Sequence, residues 1–322
     1  MIQSYPLFIN GDFKESAHKD KIINPSTGEV FAEACVADEK DVNLALVSAR
    51  AAFNEGPWRD ASFDDRREAL LKISQGILDN AEELAKLESL NTGKPIKETT
   101  FMDVPSASKT FEHFAHNLNN YLDEEIISIS AEAEGRILHE PRGVAVLIVP
   151  WNYPLLIACW KLAQALAAGN TVILKPSSLT PLTALELGKI IQKIGLPKGV
   201  VNIINGDGER LGEALCSDRW VDMISFTGSS EVGRKIINYS SRHIKKMVME
   251  LGGKSAGIVL ADADLELAVN GSLCSIFLNQ GQMCTAMSRI LVEDKIYDDF
   301  FYQAFQLGLC PRPAIFPVLA AR

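Results

Sequence analysis

Cys284 stands in "NQGQMCTA", Glu250 in "MELGGKS" and Asn152 in "PWNYP". A thiol, a carboxylate and an amide are the group types that attack on a carbonyl would use, as nucleophile, general base and donor to the oxyanion. Each residue also has a plainer account. A lone cysteine in an apolar helix is usually an inert small hydrophobe, and Asn152 between Pro150 and Pro154 would suit a turn. A carboxylate inside a buried strand needs a partner or a raised pKa, whereas at a frayed strand end Glu250 would simply be solvated. An ordinary thiol, with a pKa of about 8.5, is only a few per cent thiolate at pH 7, so a working Cys284 needs a base, a cation or N–H donors nearby. The histidines, at 18, 113, 116, 139 and 243, show no local relation to Cys284, which weakens a Cys–His hydrolase reading.

The elements that would hold these groups follow from periodicity. Residues 5–35 carry short strand-like runs broken by Gly, Asn and Pro. Helical spacing runs from Glu39 to about Asn91 and again to about Leu122, and "IISISAEAEGRILHEPRG" alternates as an extended hairpin. From Gly143 onward, apolar runs at 144–149, 171–175, 200–204, 223–228 and 247–251 alternate with helical stretches. That rhythm predicts an α/β fold with a parallel sheet and helical crossovers, in which ligands bind at the carboxyl ends of strands.

Candidate groups sit at those ends. Lys175 closes "TVILK" and could reach ribose or phosphate, although an exposed lysine is the commoner case. "GDGERLG" at 206–212 is only a near-match to a dinucleotide fingerprint, whereas "FTGSSEVG" follows a strand and opens a helix. Gly228, Ser229 and Ser230 could offer N–H groups and a hydroxyl to a pyrophosphate there; a turn with a serine N-cap would use the same residues.

Composition fits an ordinary soluble protein: 47% apolar, 23% charged and a net charge of −9, which argues against nucleic acid or an anionic membrane surface as partner. The six cysteines show no pairing or CxxC pattern, as expected of reduced thiols, and no metal site is read. The N-terminus has no basic or apolar leader segment, and no apolar run approaches the roughly 18 residues of a membrane span. A cytoplasmic location, or an organelle interior, is expected.

Taken in order, "VPWNYPLL", "ILKPSS", "SFTGSSEVG", "MELGGKS" and "NQGQMCTA" resemble the aldehyde dehydrogenase superfamily over about Leu7 to Phe305. The interval from Glu250 to Cys284, 34 residues (284 − 250), is the family's own. "WNYPLLIACWK" and "ALAAGN" are most like its betaine-aldehyde and aminoaldehyde members. The resemblance implies a Rossmann-like, parallel-sheet cofactor domain plus the start of a second α/β catalytic domain. It implies NAD or NADP as cofactor, NAD being favoured, and a small-molecule aldehyde as substrate. Cys284 would form a thiohemiacetal, with Asn152 and the Cys284 N–H on the oxyanion. Hydride transfer would leave a thioester, and Glu250 would activate the water that hydrolyses it. Lys161 matches a lysine sometimes given a charge-relay role. Val149, Pro150, Trp151 and Leu251 would line the cofactor cleft, with Lys175, Ser177 and Ser178 toward the ribose and Gly208, Gly228, Ser229 and Gly233 toward the pyrophosphate. Tyr153 and Trp160, two helical turns apart, would form an aromatic wall for a quaternary ammonium, although core packing would explain them equally. Leu278 stands where some members have a further aromatic.

The same likeness divides the chain into a dinucleotide-binding domain (1–122 and 140–250), a bridging or oligomerisation hairpin (123–139), the first part of a catalytic domain (251–306) and an aberrant tail (307–322). Ser178 replaces an acid common in NAD-preferring members. The tail, with Pro311, Pro313 and Pro317 and no acidic residue after Asp299, does not resemble the family. On that reading the chain is truncated and lacks the segment that holds the nicotinamide ribose and the C-terminal strand that would join homo-oligomers. The expected function is NAD(P)-dependent aldehyde oxidation; a catalytically inactive remnant that keeps the cofactor fold is the alternative. A non-redox acyl transferase or thioesterase would leave the cofactor motifs unexplained.

Overall fold

The computed structural model describes residues 2–130 and 133–307. The chain divides into two compact units, Met1–Glu250 and Leu251–Arg322. The first begins with strands β1 (Gln3–Tyr5), β2 (Leu7–Ile9), β3 (Asp12–Lys14), β4 (Lys19–Ile23) and β5 (Val30–Cys35). Helices α1 (Glu39–Asn54), α2 (Phe63–Asp79), α3 (Ala81–Thr92), α4 (Ile96–Glu98), α5 (Val104–His116) and α6 (Leu118–Leu122) follow, with a π-helical turn at Thr99–Asp103. Both α1 and α2 start with reciprocal capping boxes, Asp38 with Asp41 and Ser62 with Asp65. Strands β6 (Glu125–Ser130) and β7 (Ala133–Ile137) pair antiparallel as a hairpin apart from the other sheets.

The α/β rhythm expected from Gly143 onward is present strand for strand: β8 (Val144–Ile148), α7 (Pro154–Ala167), β9 (Thr171–Lys175), α8 (Leu182–Ile194), β10 (Val201–Ile203), α9 (Gly208–Ser217), β11 (Met223–Gly228), α10 (Ser230–Ser240) and β12 (Lys246–Leu251). Among the described residues the main sheet has the order β12-β11-β8-β9-β10-β2-β3. The pairs β11–β8, β8–β9 and β9–β10 are parallel; β2 and β3 close one edge antiparallel. Both faces are covered, which is why the central strands read as unbroken apolar runs. Along β8 and just beyond, Ala145, Leu147 and Val149 enter a core shared with α2, α3, α5, α7 and α8, while Val144, Val146 and Ile148 enter one shared with α1, α9 and α10.

Gly143 sets the start of this sheet. Its φ of 137° lies where L side chains are strained, and a Cβ there would collide with the Asp222 carboxylate. Asp222 cannot easily yield, because Oδ2 accepts the Val144 N–H at 2.8 Å and also pairs with Arg50. Gly143→Ala is expected to lower stability by about 2 kcal/mol, read as a lower thermal midpoint of the purified chain.

The second unit pairs β13 (Ser255–Val259) in parallel with β14 (Met287–Val292) and adds α11 (Leu265–Phe277) and α12 (Tyr297–Gln306). Val259, Val269 and Phe300 centre its small core. Apart from Leu307, the tail singled out at 307–322 lies outside the described residues. No helix among the described residues is long and apolar enough to cross a membrane, and the five described cysteines are free.

Candidate functional site

The strand order locates the crevice. From β8 the chain steps outward to β9 and β10, then returns to place β11 on the other side of β8. Strand order therefore reverses between β8 and β11, and in open α/β sheets ligands bind outside the carboxyl ends at such a switch point. Leaving β8, the chain runs through Val149, Pro150, Trp151, Asn152 and Tyr153 into α7. Leaving β11, it passes Gly228 and Ser229 into α10. Ser177 and Ser178 follow β9 as the next strand tip on the other flank.

Several groups differ from their sequence reading. Lys175 is not an exposed lysine: it is 3% exposed, and its ammonium donates to the Pro176 carbonyl at 3.0 Å. Burial pushes its pKa down to about 8, opposed by the charges of Asp207 and Cys216. The first serine of "GSSEVG" is an N-cap, Ser229 Oγ accepting from Val232 N–H at 3.2 Å, which leaves the hydroxyl proton to donate. Gly233 is buried in the first turns of α10. Gly208 is exposed at the start of α9, where Asp207 already caps the helix and Glu209 adds a second acid. Of the two glycine segments, "FTGSSEVG" is thus the one without a carboxylate at the cap position.

Of the two readings of Glu250, buried in the strand or solvated near its end, the structure has the second. β12 is the edge strand of the sheet, and Glu250 near its end is exposed. Cys284 is likewise not in a helix: it occupies an exposed turn between a short 3-10 segment, Leu278–Gly281, and β14. That segment is unusual, because Asn279 and Gln280 both take positive φ, 52° and 59°, immediately before Gly281 at 76°. Leu251, at the start of the second unit, and Trp151 are both exposed.

The aromatic wall rested on helical spacing, and that spacing fails. Tyr153 precedes the first turn of α7, with φ −138° and ψ 62°, so residues seven apart do not share a face here. The Lys94 ammonium lies 3.8 Å from the Tyr153 ring centroid, so one face of the ring already carries a cation. Trp160 instead lines an open groove with Lys109, His113 and Phe114 of α5.

Two buried polar constellations occur, one on Lys161, expected as a charge-relay lysine, and one that escaped the sequence reading. Lys161 is buried and donates to Ser225 Oγ on β11 at 2.7 Å; burial lowers its pKa to about 8 and the charge of Glu250 pulls it back up. The second surrounds Glu88, fully buried at the end of α3, with the ion pair Lys94–Asp103 at 2.6 Å beside it. The signal for it was in "LAKLESLNTGKP", where the apolar stripe Leu84, Leu87 continues into Glu88 and Asn91, polar residues on a buried helical face.

The groups at the β8, β9 and β11 tips fit a dinucleotide: a buried cation at a strand end, the Ser177 and Ser178 hydroxyls after it in the chain and a capped helix N-terminus across the switch point. No group of three or more metal-ligating side chains occurs among the described residues.

Residues 13–306 match the family model described as "Aldehyde dehydrogenase family". The chain is similar to the betaine aldehyde dehydrogenase of Bacillus subtilis (strain 168), with 44% identity over 300 residues, covering 92% of this chain and 61% of that protein. Among solved structures it is similar to an aldehyde dehydrogenase of Bacillus cereus in its NAD+ complex, at TM-score 0.91 and 37% identity, over 95% of this chain and 62% of that one. A putative aldehyde dehydrogenase from Burkholderia cenocepacia aligns at TM-score 0.90 and 39% identity, over 95% and 62%. The chain thus spans about three fifths of the length of the relatives it matches.

Proposed function

This chain belongs to the aldehyde dehydrogenase family, and on that footing we propose that it takes part in dinucleotide-dependent oxidation of a small aldehyde to the acid, with Cys284 as nucleophile. The observation that carries the cofactor half of this reading is the switch point between β8 and β11, with Asn152, Ser177 and Ser229 at the strand tips around it. The dinucleotide, when bound, accepts the hydride. The roles of the chain's own residues are assigned one by one. The Cys284 thiolate adds to the aldehyde carbon, and the exposed turn leaves the sulfur open to it. The Asn152 amide and the Cys284 N–H donate to the oxyanion. Glu250, reached by water at its exposed strand end, takes the proton of the water that cleaves the thioester. Lys161 is a candidate to pass that proton on, because its amine is poised near pH 8 and Glu250 is the acid acting on it. Lys175, Ser177 and Ser178 hold the ribose side; Val149, Pro150, Trp151 and Leu251 line the dinucleotide's path; Gly228, Ser229 and Gly233 border the pyrophosphate, with Gly208 at its far margin.

NAD is the favoured dinucleotide. Ser178 puts no fixed charge against a 2′-phosphate, so NADP is the comparison to make. Betaine aldehyde, or an aminoaldehyde, is the aldehyde class to try first, in view of the 44% identity to the Bacillus subtilis enzyme. Residues 123–139 are the proposed oligomer hairpin: Ile126, Ile127, Ile129 and Ile137 are all exposed on it. The decisive experiment follows absorbance at 340 nm with the purified chain, betaine aldehyde and either cofactor. Turnover carries the proposal, while cofactor binding without turnover reduces this chain to a binding fold.

Lys175 gives the binding step a pH signature. Its ammonium is charged below about pH 8 and neutral above it. Dinucleotide affinity is expected to fall about tenfold as pH rises from 7 to 9.5, the scale of one charge-assisted hydrogen bond. Fluorescence titration with NAD across that range checks it, and Lys175→Ala should flatten the profile.

A further inference from the structure

We propose that Glu88 is a positioning residue whose buried carboxylate ties the Asn152 loop to the Ser177–Ser178 loop, so that one side chain of α3 sets both. The bonds are explicit. Glu88 Oε1 accepts the N–H of Leu155, three residues after Asn152, at 3.1 Å. Its other oxygen, Oε2, accepts the hydroxyl of Thr183, five residues after Ser178, at 2.6 Å. Leu155 and Thr183 belong to the first turns of α7 and α8, so one carboxylate bridges the starts of two helices.

Further bonds from the same region act in the same sense. Asn91, one turn after Glu88, donates to the Leu179 carbonyl at 3.0 Å and accepts the Leu182 N–H at 3.3 Å. Thr180 donates to the Trp151 carbonyl at 3.2 Å, joining the two loops directly. Lys94 follows α3, pairs with Asp103 and presses on the ring of Tyr153, the residue next to Asn152. A buried carboxylate has a large desolvation cost, and two donated bonds at helix starts are the compensation a positional role would require. Core packing alone would be served better by an apolar side chain of similar size.

The protonation of Glu88 supplies an independent signature. Burial raises its pKa to about 7, against the opposing effects of Lys94, the Thr183 hydroxyl and the Leu155 N–H. Asp103 acts with the burial, and the Cys159 thiol, itself pushed up by burial, also feels Glu88. The folded pKa lies above the ordinary value of 4.5, so protonated Glu88 is favoured in the closed arrangement. Opening that releases Glu88 to water therefore becomes easier as pH rises from 4.5 to about 7, and levels off above.

Hydrogen–deuterium exchange of the whole chain tests this without turnover, with rates corrected for the intrinsic pH dependence. Glu88→Ala is expected to raise exchange at least tenfold in both 150–157 and 176–184, with the strand interiors 144–148 and 171–174 unchanged. Glu88→Gln keeps the acceptor for Leu155 and turns the Thr183 bond round, its amide N–H donating to the Thr183 hydroxyl, so it should restore protection while abolishing the pH response. If Glu88→Ala yields no soluble chain, Thr183→Val carries the test. It breaks the α8 bond only, and exchange at 150–157 should rise all the same. A rise confined to one loop, a uniform rise through the fold, or no restoration by Gln overturns the proposal. The roles of Asn152 and the two serines rest on the proposed function. NAD binding is measured in parallel, so coupled loops without dinucleotide affinity refute that function and leave the clamp standing.

Discussion

Cys284→Ala is expected to abolish aldehyde-dependent NAD reduction, by about 10⁴-fold or more, while leaving NAD affinity within about twofold. The first half follows from chemistry: without the sulfur no covalent adduct forms, and neither Glu250 nor Asn152 can replace an electron pair on the aldehyde carbon. The second half follows from the assignment of roles: the Cys284 side chain is not among the groups given to the dinucleotide, so the substitution leaves each of those in place. Absorbance at 340 nm gives the turnover and fluorescence titration the affinity. A rate surviving in Cys284→Ala removes the residue from the mechanism. Alkylation offers a second check, because Cys35, Cys159 and Cys216 are buried and only Cys274 and Cys284 are exposed among the described cysteines. Iodoacetamide inactivation should track the mass gain at Cys284 and persist in Cys274→Ala.

Asn152→Ala should lower kcat about 10²–10³-fold, or roughly 3–4 kcal/mol of barrier, the usual cost of one oxyanion donor. The KM for NAD should hardly move, because the amide is assigned to the developing oxyanion and not to the dinucleotide. Asn152→Asp should do no better, since a carboxylate accepts where a donor is needed and repels the charge that forms. A mutant that loses NAD affinity instead would assign Asn152 to the cofactor. The loop that carries it is held by bonds outside the amide itself: the Thr180 hydroxyl on Trp151, and Glu88 on Leu155. Those bonds remain when the side chain is truncated.

Much of this chain was legible in its sequence because parallel strands buried on both faces write themselves as apolar runs. The strands at 144–148, 171–175 and 223–228 and helices α7, α8 and α10 fall where the periodicity put them, whereas α9 reads only as a glycine segment. Motif order likewise led to the aldehyde dehydrogenase family, since residue identity at fixed intervals is a property of sequence. Burial of individual polar groups was not legible. Lys175 looked like an exposed strand tip and is enclosed; Glu250 fitted both a buried and a solvated reading and stands exposed on an edge strand; Tyr153 looked helical and precedes the helix. Each of these depends on which distant segment packs against the residue. Glu88 shows the reason in one side chain: its two partners are 67 and 95 residues away, and nothing local to "KLESLNTGK" specifies either. Sequence by itself determined the elements, their order and the reactive residue types. The tertiary structure alone decided which of those groups leave water, because desolvation and the bonds that offset it come from neighbours remote along the chain.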